Sequence, residues 1–141
     1  MQAPERGTLF DPIRKKRVAR TPEEEVRQAM VQYLITQAGY PATFMANEYS
    51  IIMGKLSRRC DTVVFSPQLK PLMVFEYKAP DVPISQDTIE QAFRYNSTLC
   101  VPFVCLSNGK TTYIYKVGYN GMPTVQLTHL PSYQELQATN E

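Results

Sequence analysis

The chain has 141 residues, of which 43% are hydrophobic and 20% charged, with a net charge of +2: the size and balance of one ordinary globular domain with its own core. No apolar run approaches the roughly 20 residues of a membrane helix, and the polar, basic N-terminus lacks an apolar signal core, so a cytoplasmic protein with no membrane partner is expected. Three cysteines without CxxC spacing (Cys60, Cys100, Cys105) and a single histidine (His129) argue against a disulfide framework, a zinc site or a histidine triad.

The small net charge is unevenly placed. Residues 1–20 hold six basic side chains (Arg6, Arg14, Lys15, Lys16, Arg17, Arg20) against Glu5 and Asp11; the remainder, nine basic to eleven acidic, carries −2. A flexible basic arm, able to hold nucleic-acid phosphates through Lys15, Lys16 and Arg17, is one reading, and a solvated tail fits the same residues. Thr21-Pro22-Glu23-Glu24 reads as a helix start, with Thr at the N-cap, Pro at N1 and Glu24 completing a capping box. That helix is expected to run to Ala38, where Gly39-Tyr40-Pro41 stops it. Residues 43–53 read as a strand, Gly54-Lys55 as a turn, and Arg58–Phe65 and Leu72–Lys78 as two more strands. Gln86–Cys100 reads as a second helix with Ile89, Ala92, Phe93, Leu99 and Cys100 as its apolar stripe. Pro102–Ser107 is a buried strand, and Asn108-Gly109 turns it into Thr111–Lys116. The expected organisation is an arm (1–20), an α/β domain (21–117) and a weakly patterned extension (118–141). The order αβββαβ implies one mixed sheet flanked by helices.

The chemistry gathers on the central strands. Side chains alternate faces, so Val74, Glu76 and Lys78 point one way while Met73, Phe75 and Tyr77 point the other. Two ionisable groups on one face of an apolar strand are costly unless something uses them. If the Asp61 strand pairs with the Glu76 strand, the two carboxylates converge. Hard oxygen donors without sulfur or imidazole favour Mg²⁺ or Mn²⁺, here held by Asp61, Glu76 and the Tyr77 carbonyl. Such a cation would polarise a phosphodiester and activate water, with Lys78 placed to orient that water and offset developing charge.

The segments Thr21–Gln28, Gly39-Tyr-Pro41, Arg59-Cys-Asp61, Val74-Phe-Glu-Tyr-Lys-Ala-Pro80, Gln91-Ala-Phe-Arg-Tyr-Asn96 and Leu106-Ser-Asn-Gly109 resemble, in order, the PD-(D/E)XK nuclease superfamily. More closely, the chain resembles the N-terminal nuclease domain of type I restriction enzyme R subunits. The resemblance implies a restriction-endonuclease-like fold, DNA as substrate, and a Gln-x-x-x-Tyr motif that Gln91 and Tyr95 match. It also implies a first-helix glutamate as a further metal or water ligand. Met30, Val31, Leu34 and Ile35 define the inward face of that helix; Glu23, Glu24 and Arg27 fall in its arc, so Glu24 is the first choice and Glu23 the second. Cys60 stands where the superfamily's name has proline. Arg27, Arg58 and Arg59 are candidate phosphate contacts.

Neither Gly54-Lys55 nor Gly109-Lys110 has the glycine five positions earlier that a phosphate-binding loop requires. A motor is therefore expected from a separate protein, as a specificity subunit would be, or to be unnecessary. A homodimer would suit double-strand cleavage by one small site. The competing reading is a non-cleaving nucleic-acid-binding or accessory subunit that keeps the fold, with Glu76 and Lys78 as a surface ion pair. A protein-interaction subunit using the tyrosine-rich C-terminal region is a third.

Overall fold

In the computed structural model, which describes residues 7–139, the expected flexible arm is instead an antiparallel hairpin of β1 (Thr8–Asp11) and β2 (Lys16–Ala19). Asp11 closes it. Its Oδ1 accepts the backbone N–H groups of Ile13 at 2.7 Å and Arg14 at 3.1 Å, and its Oδ2 accepts Nδ2 of Asn47 at 2.9 Å. A count of cations sees a tail here; the single carboxylate that both turns the chain and ties it to the body is what orders it. Arg6 and Glu5 of the expected arm lie outside the described residues.

Helix α1 (Pro22–Thr36) starts as its sequence dictates: the Thr21 side chain accepts the Glu24 N–H at 3.0 Å, and Pro22 costs no hydrogen bond in the first turn. It ends two residues before Ala38. Gln37 and Ala38 both donate to the Tyr33 carbonyl, Gly39 takes φ +74°, and Tyr40 N–H closes on Leu34 O at 2.9 Å. A short 3-10 turn at Ala42–Phe44 leads into β3 (Met45–Met53), which pairs antiparallel with β4 (Leu56–Phe65) across the Gly54-Lys55 turn. β5 (Pro71–Tyr77) pairs antiparallel with β4, and α2 (Gln86–Leu99) then crosses over to β6 (Phe103–Ser107), parallel to β5. β7 (Thr112–Lys116) and β8 (Val125–Leu127) extend a six-stranded sheet in the order β3-β4-β5-β6-β7-β8. This is the mixed sheet flanked by helices that the pattern implies.

Both faces of the sheet are covered, because the alternation on its central strands is apolar on both sides. Met73, Phe75, Tyr77, Phe103 and Cys105 pack with Val31 and Leu34 of α1. Val74, Val104 and Leu106 pack with Ile89, Ala92 and Leu99 of α2. Cys100, expected in the α2 stripe, is exposed; it caps the helix in the left-handed conformation, φ 57° and ψ 39°. The C-terminal stretch, weakly patterned in sequence, supplies β8 and α3 (Tyr133–Thr139), whose Leu136 is fully buried in the α1-side core. A three-residue strand and a seven-residue helix are too short to show a period. Among the described residues, no helix is long and apolar enough to cross a membrane.

Candidate active site

The α1 N-terminus, β3, β4 and the end of β5 enclose a cavity of about 460 Å³, lined by Glu23, Glu24, Arg27, Glu48, Asp61, Glu76, Tyr77 and Lys78, with Thr21 at its rim. Asp61 follows from register: one step beyond the Thr62–Phe75 pair lies Asp61 opposite Glu76. The Tyr77 N–H donates to Asp61 Oδ2 at 2.8 Å, fixing the carboxylate against β5. Lys78 continues the strand direction, its N–H bound to the Ser107 carbonyl at 2.9 Å.

The sheet alternation breaks where the site begins. Asn47 and Thr62 face α1, where Thr62 Oγ1 donates to Asn47 Oδ1 at 2.7 Å and accepts Tyr77 OH at 2.9 Å. Two residues away on each strand, Tyr49 packs edge-on against Phe65 and Cys60 lies in the α2-side core. The residues between them, Glu48 and Asp61, are the step left out of the β3–β4 pairing, and Glu48 takes φ +56°. A non-glycine residue in that region costs on the order of 1 kcal/mol and persists only where its surroundings hold it. Arg27 and Arg59 do so, reaching Glu48 at 2.7 and 2.8 Å.

Arg27 is the hub of the cavity floor. It donates Nε and Nη2 to Glu24 at 3.1 and 2.7 Å, and Nη1 to both Glu48 Oε2 and the Asp61 carbonyl at 2.7 Å. Glu24 also accepts Gln28 at 2.6 Å and Arg14 of the hairpin at 3.1 Å, while Arg14 bonds Asp11. Burial raises the Glu24 carboxyl, but the hydrogen bonds and charges of Arg27, Gln28 and Arg14 outweigh it and hold the group below its ordinary range. Both Glu24 oxygens are thus committed to side-chain donors. The structure brings Glu24 to the cavity wall as the anchor of Arg27, whereas Glu23 is exposed.

Asp61 has the opposite balance. Burial, with repulsion from Glu76 and Glu48, pushes its carboxyl up despite the Tyr77 N–H and Arg27. Its Oδ1, like Oε2 of Glu76, accepts no hydrogen bond among the described residues. Two open carboxylate oxygens beside a backbone carbonyl, one on Asp61 and one on a Glu76 whose other oxygen is paired with Arg58, form a hard-oxygen donor set that fits Mg²⁺ or Mn²⁺. No three described Asp, Glu, His or Cys side chains are grouped to hold a metal by themselves, so the Tyr77 carbonyl or other oxygens would have to complete the shell.

Glu76 and Lys78 also form one wall of an adjoining cleft of about 290 Å³ shared with Arg58, Arg59, Gln91 and Tyr95. Gln91 and Tyr95 therefore reach the edge that carries the carboxylates. Two expected phosphate contacts are otherwise engaged: Arg27 is buried in the network above, and Arg58, 7% exposed, binds Glu76 Oε1 at 2.7 Å and lies over the Tyr95 ring. A charge count cannot tell a cation with a buried partner from one facing water. Arg59, Lys15, Lys16 and Arg17 do face outward. Glu48 is the residue that sequence reasoning missed. Its signal was the two-residue turn at Gly54-Lys55, which fixes the β3–β4 register and sets Glu48 against Asp61.

A profile of the family described as "Type I restriction enzyme R protein N terminus" matches residues 22–131. No curated protein matches the chain. Among solved structures, a fragment assigned as an HsdR subunit of a type I restriction enzyme from Vibrio vulnificus YJ016 is similar over 82% of this chain and 24% of that one, at 20% identity and TM-score 0.56. The chain thus spans about a quarter of that protein. A structure assigned as a nuclease of the DUF820 group from Anabaena variabilis is similar over 98% of this chain and 88% of that one, at 13% identity and TM-score 0.55.

Proposed function

Because the chain belongs to the family of type I restriction enzyme R protein N termini, we propose that it is the nuclease element of a restriction or DNA-processing activity, hydrolysing DNA phosphodiester bonds. The observation that carries this reading is that Asp61, Glu76 and Lys78, from two neighbouring strands, line one cavity. Asp61, Glu76 and the Tyr77 carbonyl are the groups that would hold Mg²⁺ or Mn²⁺, which when bound supplies Lewis-acid polarisation of the phosphodiester and activation of water. The Lys78 ammonium has no ion pair among the described residues, so its donors are available to orient the attacking water and to offset charge on the phosphoryl oxygens. Gln91, exposed on α2, offers an amide to the phosphate. Glu24 serves the site through Arg27, which grips the Asp61 carbonyl and keeps the carboxylate turned to the cavity. The exposed Lys15, Lys16, Arg17 and Arg59 supply the sequence-independent grip on the DNA backbone. Separate motor and specificity proteins are the partners this reading calls for, and double-strand cleavage calls for a second copy.

One observation favours the alternative, a non-cleaving nucleic-acid-binding subunit: Glu76 is already paired with Arg58. Incubating supercoiled and linear DNA with Mg²⁺ or Mn²⁺ separates the two. Cleavage by the unsubstituted chain that disappears in Asp61→Ala and Lys78→Ala is the expected result. Binding without cleavage, or cleavage that survives both substitutions, favours the alternative.

A further inference from the structure

Three elements close on one cation beside Glu76. Arg58 from β4 donates Nη2 to Glu76 Oε1 on β5 at 2.7 Å, its guanidinium centre lies 5.0 Å from that of the Tyr95 ring on α2, and Nη1 reaches the Ala92 carbonyl at 3.4 Å. The same guanidinium lines the cleft with Lys78 and Gln91, where a phosphodiester would lie. A guanidinium fork accepts a carboxylate or a phosphate in the same bidentate geometry, so the two anions compete for Arg58. A divalent cation and Arg58 likewise compete for Glu76, because two positive groups drawn to one carboxylate repel each other. Tyr95 bears on this contest by geometry: its ring holds the guanidinium plane in reach of both anions.

We propose that Arg58 is a positioning residue that couples the two ligands of the site: a phosphodiester draws its guanidinium from Glu76, and the released carboxylate then takes the divalent cation. The inference rests on the nuclease reading above. It gives Tyr95 a role exerted through Arg58, and it makes DNA and cation binding mutually reinforcing, since a coupling between two sites is reciprocal. Free cation and free DNA would each have to compete with the Arg58–Glu76 pair, so the complete centre forms most readily on substrate.

The test is a calorimetric titration of the full chain with Mn²⁺, with and without a phosphorothioate DNA duplex that resists hydrolysis, the heat of Mn²⁺ binding to DNA alone being subtracted. In the unsubstituted protein the duplex tightens Mn²⁺ binding by about tenfold, within the usual range of such couplings. Arg58→Met binds Mn²⁺ about tenfold more tightly without DNA, and the duplex adds nothing further. Arg58→Lys, which keeps the charge without the fork or the stack, falls between. Tyr95→Leu, a change at a half-exposed side chain, weakens the coupling in the same direction even if Arg58→Met does not fold. Coupling that is undiminished in Tyr95→Leu, or weaker Mn²⁺ binding in folded Arg58→Met, overturns the proposal. Asp61→Ala keeps the two readings apart. Mn²⁺ binding that survives that substitution sinks the nuclease centre, whereas its loss there, together with unaltered behaviour of Arg58→Met, sinks the coupling alone.

Discussion

Two arginines that contact the same glutamate differ sharply in what they hold up. Arg27 and Arg59 both bind Glu48, but the Arg27 side chain is 10% exposed and that of Arg59 67% exposed. Removing the Arg27 cation leaves, among the described residues, buried Glu24 with the Arg14 cation alone, Glu48 with the Arg59 cation alone, and the Asp61 carbonyl without its donor. Breaking a buried pair from one side costs about 3–5 kcal/mol. Arg27→Met is therefore expected to lower the urea midpoint strongly, while Arg59→Ala changes stability by less than about 1 kcal/mol and acts on DNA affinity instead. Equal midpoints for the two variants would show that the network carries no net stability. The same residue scale explains the poise of Asp61. Burial and the charges of Glu76 and Glu48 outweigh the Tyr77 amide and Arg27 there, a balance that a bound divalent cation would reverse.

The hairpin and the crossover helix each carry a prediction of their own. Burial alone would raise the Asp11 carboxyl; hydrogen bonds from Asn47, the Arg14 side chain, and the Arg14 and Ile13 amides hold it below its ordinary 3.8. A carboxyl with a depressed folded-state value stabilises the fold above its unfolded value and loses that contribution as pH falls through the folded one. The stability difference between wild type and Asp11→Asn should accordingly be full at neutral pH and shrink on acidification below 3.8. A difference that stays constant with pH would remove the charge from the account of hairpin anchoring. At the other helix, Cys100 bears the steric cost of φ 57° as the C-cap of α2. Cys100→Gly is expected to raise stability by about 0.5 kcal/mol, the relieved clash less the greater unfolded-state freedom of glycine. A lower thermal midpoint for that variant would contradict the assignment of strain.

Over the whole molecule, a charge of +2 gives almost no long-range attraction for DNA, so a local patch has to supply it. The exposed end of the hairpin carries Lys15 in its turn and Lys16 at the start of β2. If both meet phosphates, Lys15→Ala with Lys16→Ala reduces the slope of log affinity against log salt by roughly 2 and leaves Mn²⁺ affinity untouched. An unchanged slope places the DNA elsewhere. The hairpin is joined to the cavity by the chain Asp11–Arg14–Glu24–Arg27–Asp61, so the element that carries these exposed lysines also braces the aspartate. Arg14 looks in sequence like one more charge in a basic run; it is the link between the two.

The linear chain by itself determined the order of helices and strands from α1 to β7, the two-sided burial of the sheet and the chemical kinds of residue at its edge. Those properties follow from periods of 2 and 3.6, from caps and from turn residues, all local and all written in neighbouring positions. Only the tertiary structure decided which charges are spent and which are open. Arg27 and Arg58 proved to be buried partners of carboxylates, Glu24 an anchor, and Glu48 part of the cavity, because those fates depend on partners from other elements, such as Glu48 for Arg27, Glu76 for Arg58 and Arg14 for Glu24. Register and burial set the partner and the local dielectric, and these decide whether a charged side chain holds the fold together or faces what the protein binds.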